Sequence, residues 1–467
     1  MEKLPIEILS RIIKHLSSKD LYNEALNKWV FSVSIAPYAT INRQWQSLVE
    51  ALTFRDLSLT PPDIVFAISE GILTPDRLSF LRELRVDFIF PAHEGQHAAD
   101  TASEEDPDDQ VVFNRTVRKL FHLLERAPRC ESPWLSLGAY VPIPRQYPRG
   151  TDALYGRHPP EARLVADGTV PISYLELSPV LEKDLPELPV VSEFLTTTYF
   201  KSHSLVFSPR SMCVMASKMT RLKKVEWDLS DREKANLQRR IQLRCDFANA
   251  LEKLPTFLKE FYLEYVREPP KDHSFHPPSI VPPDIIDDPL SQALRRMSQR
   301  QHLIRFHVRA CVDSTIFCLQ HLVSEEVPGW TDLNYFWVSM HPVLPSGRDM
   351  DTELPGEGRD WHFRDIPDQE LLDTIFIAAG RAACQMPKIT NFSLRYELNP
   401  VAGLSFRPDL FRDKVSCVEI MTEQVPELSK ETEDIWKEAC EKHGREYSLT
   451  VADYAHESEL LFHYSHS

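Results

Sequence analysis

Residues 258–265 read Leu258-Lys259-Glu260-Phe261-Tyr262-Leu263-Glu264-Tyr265, and they follow a helix-like run over 233–253. Phe261, Leu263 and Tyr265 alternate with charged or polar neighbours, the period of a strand with one buried face. Leu81-Arg82-Glu83-Leu84-Arg85-Val86 has the same form, L-x-x-[LF]-x-[LVI]. One helix joined to one such strand cannot cover its own apolar face. Set side by side, the pairs share a parallel sheet and a continuous core, which is the logic of a solenoid.

The pattern extends in both directions from that stretch. Before it, strand 54–59, helix 62–71, strand 81–90, helix 111–126, strand 134–142, strand 172–178, helix 209–219 and strand 222–229 are expected. Helix 111–126 is expected to turn Val112, Val117, Leu120, Phe121 and Leu124 inward. After it come helix 289–299, strands 303–308 and 333–340, helix 368–385, strands 389–397 and 415–421, and helix 430–443. The strands resemble those of leucine-rich repeats, with spacing irregular and longer than the ~20–29 residues of a regular repeat. The same periodicity serves an ordinary mixed α/β domain with a parallel sheet. The expected fold class is α/β, with residues 56–467 forming an irregular leucine-rich-repeat-like helix–strand array.

Residues 1–55 differ in character. Leu4, Ile8, Ile12 and Leu16 fall on one stripe of a helix, and Pro5, Leu9 and Ile13 on a second beside it. Such a helix either docks on the chain's own core or meets another protein. A second amphipathic helix is expected over 38–50, with Trp45, Leu48 and Val49 on one side. The succession LP-x-EIL-x-x-I-x-x-x-L, then R-x-W-x-x-L-V, resembles the F-box. That resemblance implies docking on a Skp-type adaptor and, through it, a cullin ubiquitin ligase. It implies Leu4, Pro5, Ile8, Leu9, Ile12 and Leu16 as adaptor contacts, with Trp45 and Leu48 bracing the module. The pattern departs from the family between Asp20 and Tyr38, where a longer segment, residues 21–37, replaces a compact linkage. Tyr38 to Trp45, then Thr53-Phe54-Arg55 and Leu57, also looks like large, divergent fungal F-box proteins.

Composition narrows the functional classes. The 467 residues include only 13 Gly and no G-x-G-x-x-G or G-x-x-x-x-G-K-[ST], which disfavours phosphate-cradling loops. The 36 Pro suit many short elements, each ended sharply. A net charge of −16 opposes nucleic acid. The basic clusters Arg239, Arg240, Arg244 and Arg295, Arg296, Arg300 read as solvated helix faces. Eight Cys without C-x-x-C spacing read as buried thiols in a reducing compartment. With no signal peptide or long apolar span in the sequence, a soluble cytoplasmic or nuclear protein is expected. The acidic loop 93–109, the proline-rich 143–168 and 269–289, and the loop 342–365 are expected to punctuate the array.

Catalytic and metal motifs are near misses. His456-Glu457 is followed by His463, whereas a zinc protease places its second His one helical turn on. Cys311, Cys318 and His321, with His302 or His307, read as core residues rather than zinc ligands. The acidic run 349–353 has Leu354 where a calcium loop needs Gly. Trp134, Trp227, Trp330 and Trp337 read as core or interface anchors. The expectation is a substrate-recognition adaptor without catalytic residues, cofactor or metal, holding an unknown protein client. A structural interaction scaffold, or an enzyme with an unrecognised site in 56–467, stands as the alternative.

Overall fold

The computed structural model describes residues 6–16, 21–23, 28–30, 35–89, 107–128, 133–140, 173–197, 205–231, 236–266, 277–318, 329–352, 366–396, 402–406, 418–421 and 428–452. One sheet dominates it. Its strands in chain order are β1 (Asp56–Leu59), β2 (Glu83–Ile89), β3 (Trp134–Tyr140), β4 (Glu193–Thr197), β5 (Lys224–Ser230) and β6 (Glu260–Val266). They continue with β7 (Arg305–Ala310), β8 (Tyr335–Met340), β9 (Asn391–Tyr396), β10 (Ala402–Phe406), β11 (Val418–Met421) and β12 (Leu449–Ala452). Their spatial order is their chain order from one edge to the other. The first nine run parallel. β10 turns back antiparallel, β11 reverses again, and β12 pairs parallel with β11.

Eleven helices accompany the sheet among the described residues. They are α1 (Ile6–Leu16), α2 (Arg43–Thr53), α3 (Pro61–Ser69), α4 (Pro75–Leu78), α5 (Pro107–Glu125) and α6 (Pro179–Asp184). The rest are α7 (Pro209–Ser217), α8 (Leu237–Leu251), α9 (Pro289–Ser298), α10 (Gln369–Ala383) and α11 (Lys430–Lys442). Parallel crossovers are right-handed, so a strand order that never reverses sends every crossover to the same face. A doubly wound sheet reverses its order partway and carries helices on both faces. The chain is therefore a solenoid-like α/β array and not a doubly wound domain.

Burial alternates along the strands accordingly. In β5, Val225, Trp227 and Leu229 are buried, while Lys224, Glu226, Asp228 and Ser230 face the other way. Register carries this across the sheet. Leu57, Leu84, Leu135, Phe194, Val225, Phe261, Phe306, Phe336 and Phe392 form one continuous row. Within it Phe261, Phe306, Phe336 and Phe392 stack at 5.8, 5.3 and 5.0 Å, with planes 16–18° apart. These side chains share one core with the buried faces of α3, α5 and α7 to α11.

Two local devices recur. At the start of a strand, one carbonyl accepts from two successive amides of the next repeat. Arg55, Ser192, Lys223, Lys259, Ile304 and Asn334 each do this, for example Lys259 O from Ile304 N at 2.8 Å and Arg305 N at 3.1 Å. The second device is Pro at the first helical position after a Thr, Ser or Asp. Thr60-Pro61, Thr74-Pro75, Ser178-Pro179, Ser208-Pro209 and Asp288-Pro289 all open helices this way. Pro has no N–H to leave unpaired there and its φ is preset. These prolines start elements, where the composition suggested that they end them.

The structure corrects several expectations. Residues 173–175 form a strand, but it pairs with 205–207 outside the large sheet. The strand that takes the place in the array is β4, which the pattern did not predict. Helix α2 begins at Arg43, because Asn42 accepts from Gln44 N and Trp45 N and caps it there; residues 36–40 form a 3-10 turn. On α5 Val112 is turned outward and Phe113 inward. The basic clusters are not solvated faces. Arg240 makes a buried bidentate pair with Asp231 at 3.0 and 3.2 Å. Arg244, 1% exposed, holds Asp288 through two 2.6 Å bonds and donates to Cys311 O. Arg300 donates to the Leu251, Glu252 and Leu254 carbonyls, closing the end of α8. Arg239 and Arg296 do remain on the surface, paired with Glu176 and Glu252.

Candidate functional site

Two outward faces carry the groups that could act on other molecules. The first is on the N-terminal module. Ile13, Val49 and Ile35 form a small core separate from that of the array, with Tyr38, Trp45, Leu48 and Leu52 packed against it. Trp45 is half-buried and lies 6.0 Å from the Tyr38 ring. On α1 the two stripes divide. Leu9 and Ile13 are 3% and 1% exposed, whereas Ile8 and Ile12 are 42% and 37% exposed. Leu9 is thus buried in this structure, where the resemblance implies an adaptor contact. Leu16 ends the helix; Leu4 and Pro5 lie outside the described residues. Residues 21–23 and 28–30 pair as an antiparallel ribbon within the long linkage. The module is tied to the first repeat by Arg77, which holds Glu50 Oε1 at 2.7 and 3.2 Å and lies over Phe54. That bond lowers the Glu50 pKa.

The second face is the side of the sheet opposite the core. Tyr262, His307 and Trp337 stand side by side on β6, β7 and β8. The Tyr262 and His307 rings are 5.6 Å apart, and His307 and Trp337 only 3.8 Å. A cation closes each end: Lys224 over Tyr262 at 5.4 Å and Arg395 over Trp337 at 5.7 Å. Burial, then the charges of Arg395 and Arg309, push His307 down to about 4, so it is neutral at physiological pH. The cations mostly have acids at hand. Lys224 pairs with Glu226 at 2.8 Å, and Arg309 with Glu264 at 3.6 Å. Trp337 was read as an anchor in the sequence; His307 was weighed only as a metal ligand. Neither Arg395 nor the cluster was foreseen.

Among the described residues, the groups weighed for chemistry in the sequence do not come together. His307 faces away from the core, whereas Cys311 is buried in it and its thiol donates to Val343 O at 3.1 Å. His321, His456 and His463 lie outside the described residues, among which no group of three His, Cys, Asp or Glu is placed to hold a metal. Asp313 is pushed up to about 6 by burial and by the charge of Asp288. Its Oδ1 accepts from both Thr315 N and Thr315 Oγ1, and its own N–H donates to Ser291 Oγ, so it belongs to the packing between repeats. A surface depression of about 410 Å³ at the junction of module and array is lined by Ala51, Arg55, Ser79, Phe80 and Arg82, with no acid, His or Cys. Among the described residues no helix is long and apolar enough to cross a membrane.

No family model matches the chain, and no curated protein matches it significantly. The fold and these two faces therefore carry the functional reading.

Proposed function

We propose that the chain is the substrate-recognition subunit of a Skp–cullin–F-box ubiquitin ligase, its array a leucine-rich-repeat-like client-binding domain. The observation that carries the reading is the division of α1. One apolar stripe closes the module's own core while Ile8 and Ile12 stay outward, as a helix must to serve both its own fold and a partner. Burying each exposed isoleucine contributes ~1.5–3 kcal/mol before ordering costs. The open sheet face then holds a client near the ligase, and ubiquitin transfer becomes effectively intramolecular. In this role the protein supplies position and not bond-making groups.

The test is co-purification of the full chain with a Skp-type adaptor. Ile8→Asp with Ile12→Asp is expected to abolish the complex while the thermal transition stays at its wild-type value. Retention of the adaptor by that variant removes α1 as the docking surface. Failure of the unaltered chain to bind any Skp-type adaptor leaves the scaffold reading in its place.

A further inference from the structure

We propose that Arg395, with Trp337 and Arg309 beside it, is a receptor for one anionic side chain, carboxylate or phosphate, carried by an extended client segment on the open sheet face. The proposal rests on the client-binding reading of that face and not on the adaptor contact.

Charge pairing singles out Arg395. Lys224 and Arg309 have carboxylates, and Arg305 bonds Tyr262. Among the described residues Arg395 has the Trp337 ring and no carboxylate, and its Nε is buried with no acceptor. A buried guanidinium donor left unmade is costly, and an anion supplied from outside removes that cost. The guanidinium carbon lies 5.7 Å from the centre of the indole ring, and a guanidinium is the group that makes forked bonds to a carboxylate or phosphate.

The register sets the neighbours of Arg395. Arg309, Ser339, Arg395 and Gly403 occupy one row across β7 to β10. Ser339, 3% exposed, is small and Gly403 has no side chain, so neither neighbour in the row sets a long side chain against Arg395. Arg309 stands two strands away, about 10 Å at ordinary strand spacing. Both guanidinium charges reach His307, whose neutrality keeps a further cation out of the cluster. The chain as a whole carries −16, so an acidic client is repelled by most of the surface and drawn to this spot.

The probes are fluorescent nonapeptide libraries, randomised except at the centre, which is Glu, phosphoserine, Ser or Lys. Binding to the full chain is read by anisotropy. The Glu or phosphoserine library is expected to bind at least about tenfold tighter than the Ser library, and the Lys library not at all. The stronger of the two anionic libraries identifies the source of the charge. Arg395→Ala and Arg395→Gln are each expected to reduce the anionic library to the Ser level, and Arg395→Lys to recover part of the preference. Arg381→Ala, on the helical side with Glu431, is expected to change nothing. Equal binding of all four libraries overturns the proposal, as does binding to none of them. So does an Arg395 variant that keeps both the wild-type melting curve and the anionic preference. Adaptor co-purification from the same preparations shows separately whether the ligase reading stands.

Discussion

Among single residues, the buried charges behind β5 to β7 have the largest stakes. Arg244 and Asp288 are both removed from water, and only their mutual forked bond makes that tolerable. Asp288 also accepts from Ser291 N and Oγ, so it caps α9. Asp313 sits beside this pair and is the weak member. Its carboxyl is pushed up to about 6 by burial and the Asp288 charge, against ~3.9 for a free aspartate. Below pH 4 both folded and unfolded chains are protonated there, and the site costs nothing. Between 4 and 6 the unfolded chain ionises first, so folding stability falls as pH rises; above 6 the loss is complete. Asp313→Asn keeps an oxygen for Thr315 and cannot ionise. It is expected to match wild type near pH 4 and to exceed it by on the order of 2 kcal/mol at pH 8, read from urea midpoints. A difference that does not grow with pH would show that Asp313 ionises normally.

At the scale of elements, helix α10 carries a glycine, Gly380, in its last turn, where Ala would favour the helix by up to ~1 kcal/mol. The reason is the approach of α11: a Cβ at Gly380 would lie 2.9 Å from Ile435 Cγ2 and 3.2 Å from Ile435 Cγ1. Gly380→Val is expected to destabilise by about 1–3 kcal/mol through overpacking, read by denaturant unfolding. An unchanged midpoint would mean that α11 moves aside at no cost. Such close approaches are not legible in a sequence, because Gly380 and Ile435 are brought together only by the solenoid. What is legible is the phase of each strand. Leu258, Leu303 and Leu333 stand three residues before the stacked phenylalanines, and most of the expected helices and strands lie near their places, whereas β10 and β12 were not expected. Residues 172–178 misled because alternation reports one buried face and not which sheet receives it. β4 was missed because Glu193-Phe194-Leu195-Thr196-Thr197 alternates poorly. The aromatic cluster had a signal that went unused. Tyr262, His307 and Trp337 each follow the ladder phenylalanine directly, so aligning the strands on that residue brings the three rings into one row. Arg395 is two positions further along in β9, and only the register places it beside them.

For the whole molecule, a strand order that follows the chain order makes stability a sum of repeats and nearest-neighbour interfaces. The phenylalanine ladder is where those interfaces are most continuous. Phe306 is fully buried and stacks on a neighbour at each side, Phe261 and Phe336. Phe306→Ala removes both contacts and opens a cavity, at a cost of about 3–5 kcal/mol. In a one-dimensional array that loss stays local. Hydrogen exchange is expected to speed up in β6, β7 and β8, while β2 and β3 keep wild-type protection. Their distance along the array isolates them from the cavity, since β4 and β5 intervene. Equal loosening of all strands would instead make the sheet one cooperative unit. A client seated over Tyr262, His307 and Trp337 would then stabilise the whole chain. Under the local outcome it stabilises β6 to β9, the strands that carry these rings and Arg395, and the N-terminal module keeps its own stability whether or not that face is occupied.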